Sequence, residues 1–164
     1  MKQDYISYIR SKVGHETIFL TYSGGILTDG KGRVLLQLRA DKNSWGIIGG
    51  CMELGESSVD TLKREFFEET GLRVEPIRLL NVYTNFQDSY PNGDKAQTVG
   101  FIYEVSCPKP VNIEGFHNEE TLQLDYFSKE DVKNITIVNE QHQLILDEYF
   151  SQTFQMGRQK DGKY

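Results

Sequence analysis

Between Gly50 and Leu72 the chain reads Gly-Cys-Met-Glu-Leu-Gly-Glu-Ser-Ser-Val-Asp-Thr-Leu-Lys-Arg-Glu-Phe-Phe-Glu-Glu-Thr-Gly-Leu, and no other stretch constrains the fold as strongly. Val59, Leu62, Phe66 and Thr70 share one face at about 100° per residue. Ser57 and Ser58 open the run and Gly71 ends it, so a helix is predicted up to Thr70. Glu65, Glu68 and Glu69 then stand at i, i+3 and i+4, and their carboxylates converge. Each like-charge pair costs a helix a few tenths of a kcal/mol. The arc abuts the apolar face, where partial desolvation makes uncompensated charge worse. A hard divalent ion with oxygen ligands removes that repulsion, and Mg²⁺ binds a few carboxylates while keeping waters and substrate phosphates in its shell. The Gly49-Gly50 pair before the helix can bring a backbone carbonyl to the same ion, because glycine lets the main chain approach without a Cβ. The plainer alternative is a solvated helix face, with Arg64 pairing with Asp60 or Glu68 for well under 1 kcal/mol.

Around this helix the 164 residues suit one domain with a single core. We delimit it as residues 1–155, with a short helix over 1–14 that Asp4 caps and Gly14 stops, and a flexible tail over 156–164. Residues 17–28 and 33–38 are β-branched and apolar and flank Asp29-Gly30-Lys31-Gly32, which predicts a hairpin. Gly49-Gly50 reads as a bend. A longer hairpin is expected from 77–86 and 97–105, a half-buried strand over Leu122–Phe127, and a helix capped by Asn139. The mixture reads as α+β, a sheet-rich α/β/α sandwich. A net charge of −6 disfavours a nucleic-acid or membrane partner held by bulk charge, so an anionic substrate needs a mediating cation. Two cysteines, the lack of a leading apolar stretch and the lack of any window near the roughly 20 apolar residues of a membrane span make the cytoplasm the expected location.

The stretch resembles the signature of the Nudix hydrolases: a Gly, five residues, a Glu, seven residues, then Arg-Glu-U-x-Glu-Glu-x-Gly-U, with U a large hydrophobic residue. Every fixed position matches. Phe66 stands where the family more often has an aliphatic residue, and Ile48 where many members have Pro. The resemblance implies a Nudix-type sandwich with a mixed β-sheet between helices. It also implies that Glu65, Glu68 and Glu69 bind Mg²⁺ or Mn²⁺ together with the Gly50 carbonyl. Arg64 then orients those glutamates, and Glu56 holds the loop to the helix. The implied reaction is attack by water on a phosphoanhydride of a nucleoside di- or triphosphate derivative, a small-molecule nucleotide, and a homodimer is left open. Dinucleoside polyphosphate hydrolysis is the alternative, since Tyr90 stands about eighteen positions past Leu72, a spacing loosely shared by that subgroup. A Nudix-fold module that senses a nucleotide without hydrolysing it is the rival from another class.

Glu119 and Glu120 precede the Leu122–Phe127 strand, where members of the family often supply a loop glutamate. Glu120 is the expected general base or extra ligand, and an acidic surface loop is the alternative. Gln37 and Arg39 end a strand expected to face the cleft, and Arg39 could grip phosphate bidentately or serve a strand-end salt bridge. Trp45 and Tyr90, with Tyr22 and Phe86, could stack on a base or belong to the core. His15, His117 and His142 form no ligand spacing, and Cys51 has no support as a nucleophile.

Overall fold

Both edges of the first strand are taken by distant partners, and that decides the architecture. The computed structural model describes residues 4–157. Within them run α1 (Tyr5–Val13), β1 (Ile18–Leu27), β2 (Val34–Arg39), β3 (Ser44–Gly46), β4 (Ile48–Cys51), α2 (Ser58–Thr70), β5 (Glu75–Ser89), β6 (Lys95–Ser106), β7 (Thr121–Phe127), α3 (Lys129–Val132) and α4 (Glu140–Ser151). One sheet has the order β4-β1-β6-β5, and a second has the order β3-β2-β7. β1 runs parallel to β6, from Ile18 opposite Ala96 to Leu27 opposite Val105, and antiparallel to β4. The first expected hairpin therefore does not form: β2 leaves for the second sheet after a single bridge, Thr28 to Val34, and pairs with β3 and β7. The expected bend at Gly49-Gly50 is likewise corrected, since both lie in β4. The β5–β6 hairpin is as expected.

Buried strands alternate their side chains between two apolar layers. Ile26, Val34 and Leu36 join Ile102, Ile145 and Leu146 beneath α4, whereas Leu27 and Leu35 join Leu62, Phe66 and Val105 beneath α2. Strands buried on both faces read as continuous apolar runs, as β2 does. The layers give the α/β/α sandwich anticipated from the sequence. α2 starts on Ser57, whose side chain accepts from the Asp60 N–H while Asp60 returns the bond, and stops at Gly71 in the left-handed region. Asp4 caps α1 and Asn139 caps α4 through a single side-chain acceptor each, for the N–H of Ser7 and of His142. Of the tail, residues 158–164 lie outside the described ones. Its first residues are held, since Gly157 N–H donates to Asn81 Oδ1 at 3.1 Å.

α2 is seated where β1 has no side chain. A Cβ on Gly25 would stand 2.9 Å from Leu62, 3.0 Å from Val105 and 3.1 Å from Phe66, all of them buried. Gly25→Ala should therefore lower the unfolding free energy by about 1–3 kcal/mol, read as a lower urea midpoint. An unchanged midpoint would show that the helix does not sit this close.

Candidate active site

Antiparallel pairing with β1 aligns Ser23 with Gly50 and Gly24 with Gly49, which lays the glycine backbone of β4 under the last turns of α2. A Cβ on Gly50 would run into the Glu65 carboxylate, so only glycine leaves that carboxylate room beside the main chain. Glu69 is 4% exposed and accepts from Gly49 N–H at 3.0 Å. Burial, reinforced by the nearby Glu65 charge, pushes its carboxyl up to about 8. Burial also raises Glu65, against the pull of Arg64. The charge of Glu120 is felt at both.

Arg64 is the hub that keeps this arrangement in place. Its Nε and Nη2 donate to the two oxygens of Glu56 at 2.6 and 2.9 Å, its Nη1 donates to Glu65 at 2.6 Å and Glu68 at 3.2 Å, and its Nη2 also reaches the Cys51 carbonyl at 3.0 Å. Glu56 in turn accepts from Glu53 N–H at 3.0 Å and the Thr61 hydroxyl at 2.7 Å. The loop before α2, the helix and β4 are thus tied through one guanidinium. The convergence of three carboxylates is corrected. The Glu68 side chain is 55% exposed and lies over Arg64, and no three acidic, histidine or cysteine side chains among the described residues are grouped closely enough to enclose an ion as they stand. Like charges at this spacing are drawn to different partners: Glu65 leans on Arg64, Glu69 on Gly49 N–H, and Glu68 lies half in solvent on the outer side of Arg64.

Gly49, Gly50, Glu65 and Glu69 line a cleft of about 480 Å³, and Arg39, Tyr90 and Glu120 also line it. Arg39 is held bidentately by Asp41, at 3.0 and 2.8 Å. Lys42 stands 5.9 Å from the centre of the Tyr90 ring. The rim includes Asp4 and Ile6 of α1, whose Tyr5 N–H donates to Glu53 at 2.9 Å. Two expected substrate contacts are corrected. Gln37 is 1% exposed and donates to Thr121 Oγ1 at 2.7 Å, beneath the cleft and not in it. Trp45 packs edge-on against Phe127, 4.6 Å between ring centres, in the layer under α4. Both follow from strand alternation, which turned these residues inward. His142 lines the cleft unpredicted; its Nδ1 accepts from Ile47 N–H at 2.9 Å, and burial lowers it to about 3, so the ring is neutral. Burial raises the Cys51 thiol to about 11, which leaves it protonated. Also missed were Asn118 and Thr121, which fasten Glu120; an Asn two residues before a turning segment is the local signal that marks such a residue.

The Arg64 bonds, followed by the Glu53 N–H and Thr61 bonds, hold the Glu56 carboxyl down to about 2. A lowered acid stabilises the fold above its unfolded value, near 4.5, and loses that contribution as pH falls toward the folded one. Glu56→Gln should cost about 1–2 kcal/mol at pH 7, allowing for solvent screening at a partly open site. The gap to the unsubstituted protein should close below pH 4.5. Equal denaturant midpoints at pH 7 would remove Glu56 from the scaffold.

The profile of the NUDIX domain family matches residues 21–149. Among curated relatives, a MutT-like protein of Streptomyces ambofaciens is 43% identical over 61 residues, 37% of this chain and 40% of that protein. An RNA pyrophosphohydrolase of Ruthia magnifica is 42% identical over 57 residues, 35% of this chain and 32% of its own length. The chain therefore spans well under half of those two relatives. A NUDIX hydrolase structure from Nitrosomonas europaea superposes with a TM-score of 0.63 at 23% identity, covering 85% of this chain and 76% of that one. A MutT protein from Methanosarcina mazei gives 0.60 at 20% identity, covering 84% and 94%. These low identities speak for the fold alone, but the family profile spans most of the chain and includes the whole of the Gly50–Leu72 stretch: the chain belongs to the NUDIX family.

Proposed function

We propose that this chain is a divalent-metal-dependent pyrophosphohydrolase, using Mg²⁺ or in its place Mn²⁺, that cleaves a phosphoanhydride bond of a nucleoside di- or triphosphate derivative. The observation that carries this reading is the meeting, in one cleft, of acidic oxygen donors with cationic side chains. Gly50, Glu65, Glu69 and Glu120 line it together with Arg39 and Lys42. The donor set is all hard oxygen, and the bare Cα of Gly50 keeps a carbonyl and the Glu65 carboxylate within reach of the same space, which fits a hard cation. Glu65 and Glu69 with the Gly50 carbonyl would hold it, and a turn of the exposed Glu68 side chain would add a third carboxylate. Bound there, a divalent ion supplies positive charge against the polyphosphate and acidifies water.

The chain's own residues do the rest in this reading. Arg64 and Glu56 keep the glutamates oriented, and Arg39 grips a phosphate once Asp41 yields it. Tyr90, at the cleft, offers a ring face to the base. Glu120 accepts the proton of the attacking water as the new phosphorus–oxygen bond forms and the bridging bond to the leaving phosphate breaks. The panel is nucleoside triphosphates, ADP-ribose, a dinucleoside polyphosphate and, after the name of the Ruthia magnifica relative, an RNA substrate, each assayed for phosphate release with Mg²⁺ and then with EDTA. No turnover on any of them would favour the sensing module.

Glu69→Gln or Glu65→Gln should lower kcat roughly a thousandfold, as several kcal/mol of charge stabilisation is lost, with circular dichroism unchanged. Near-normal rates would reduce the cluster to a solvated face. Millimolar Mg²⁺ should also raise Tm, because the ion binds the folded chain and relieves repulsion between Glu65 and Glu69. A melting point that stays put up to saturating Mn²⁺, with no heat of binding, would count against the site.

A further inference from the structure

The geometry points to Asn118 and Thr121 as positioning residues that set where the Glu120 carboxylate stands, an inference that rests on the role proposed for Glu120. Glu120 is exposed and lies in the segment just ahead of β7, where a charged side chain has no packing of its own to fix it. Its backbone, however, is held from two directions. Asn118 Oδ1 accepts from Glu120 N–H at 2.9 Å and from Thr121 N–H at 2.8 Å, while Asn118 N–H donates to the Thr121 carbonyl at 2.9 Å. The same Asn118 amide donates through Nδ2 to the Glu68 carbonyl at 2.8 Å. One residue on, the Thr121 hydroxyl donates to the Glu69 carbonyl at 2.9 Å and accepts from the buried Gln37 amide at 2.7 Å. From the residue just past β2, Ala40 N–H donates to the Glu120 carbonyl at 2.9 Å.

The partners are telling. Glu68 and Glu69 contribute their main-chain carbonyls, which the last turn of α2 leaves without helical donors, and so the clasp is anchored on Glu69, whose side chain lines the cleft, and on its neighbour Glu68. Glu120 is thereby set in fixed register with Glu69. A bulge assists. Leu38 faces Gln123 and Arg39 faces Thr121, so Leu122 is an extra residue in β7, and such an insertion re-aims what precedes it. Phe116 closes the far end against Gly71, where a Cβ would stand 3.1 Å from its ring. A helix cap that served stability alone would need the carbonyl contacts, but it would not need Asn118 to turn back on Glu120 N–H.

The test is a double-mutant cycle on the full chain with Mg²⁺, using whichever member of the nucleotide panel above turns over fastest. Asn118→Ala and Thr121→Val should each lower kcat about tenfold or more with KM within about twofold, and should move the acid limb of the pH profile the way Glu120→Gln does. Added to Glu120→Gln, Asn118→Ala should cost less than about twofold more, since its effect passes through that carboxylate. Thr121→Ser, which keeps the hydroxyl, should restore kcat. Asn118→Asp keeps the acceptor for Glu120 and Thr121 but loses the bond to α2. Hydrogen exchange should find those two amides still protected while kcat falls as in the alanine variant, and this variant carries the test if alanine prevents folding. Full multiplication of the Asn118→Ala and Glu120→Gln effects, a lower Tm with kcat intact, or normal kcat in Asn118→Asp would overturn the inference. A Glu120→Gln variant with undiminished kcat would instead sink the proposed role of Glu120, and this inference with it.

Discussion

Burying a carboxylate against a polypeptide backbone is costly, and this molecule does it twice within one helical turn. Glu65 rests against Gly50 and Glu69 against Gly49, with burial raising both toward their neutral forms. Such an arrangement stands only if its surroundings are stiff. β4 is paired to β1, β1 is locked between β4 and β6, and α2 is fastened to β1 across Gly25, so the glycine backbone cannot retreat from the acids above it. The sandwich is in this sense a vice around two carboxyl groups that burial drives toward their neutral forms, and in the reading proposed above a cation would hold both ionised.

Arg64 sets the limit on how far that charge is left uncompensated. It grips both oxygens of Glu56 and lends one nitrogen to Glu65, yet none of its hydrogen bonds reaches Glu69. The division leaves the carboxylate furthest inside the cleft with a single backbone N–H donor among the described residues. Arg39, whose charge is felt at Glu69, is already engaged by Asp41.

How legible this was in the sequence depends on the range over which each feature is decided. The limits of α2 could be read directly, because Ser57, Asp60 and Gly71 act within a turn of where they stand. The spacing of Glu65, Glu68 and Glu69 could be read for the same reason, but not that Glu68 would lie out over Arg64, apart from Glu69. The pairing of β1 with β6 could not, since Ile18 meets Ala96 only through a topology that no local pattern encodes, and the turn residues at 29–32 invited a hairpin that this distant pairing displaced. Gln37 and Trp45 were placed in the cleft by type, where only the register of β2 against β3 and β7 reveals that they face inward. Glu120 was singled out by its place ahead of a strand, and the bond from its N–H to Asn118 is local, but the bond from Ala40 N–H to its carbonyl and the one from Asn118 to the Glu68 carbonyl join segments far apart in the chain.

The hydrogen bond from Tyr5 N–H to Glu53 has a practical side. It brings the first turn of α1 onto the loop that precedes α2, with Asp4 and Ile6 at the rim of the cleft. The chain therefore enters its first helix beside the cleft. In the reading proposed above, an affinity handle or fluorescent partner attached at that end belongs next to the doorway, and a preparation carrying one should be compared with one from which it has been removed.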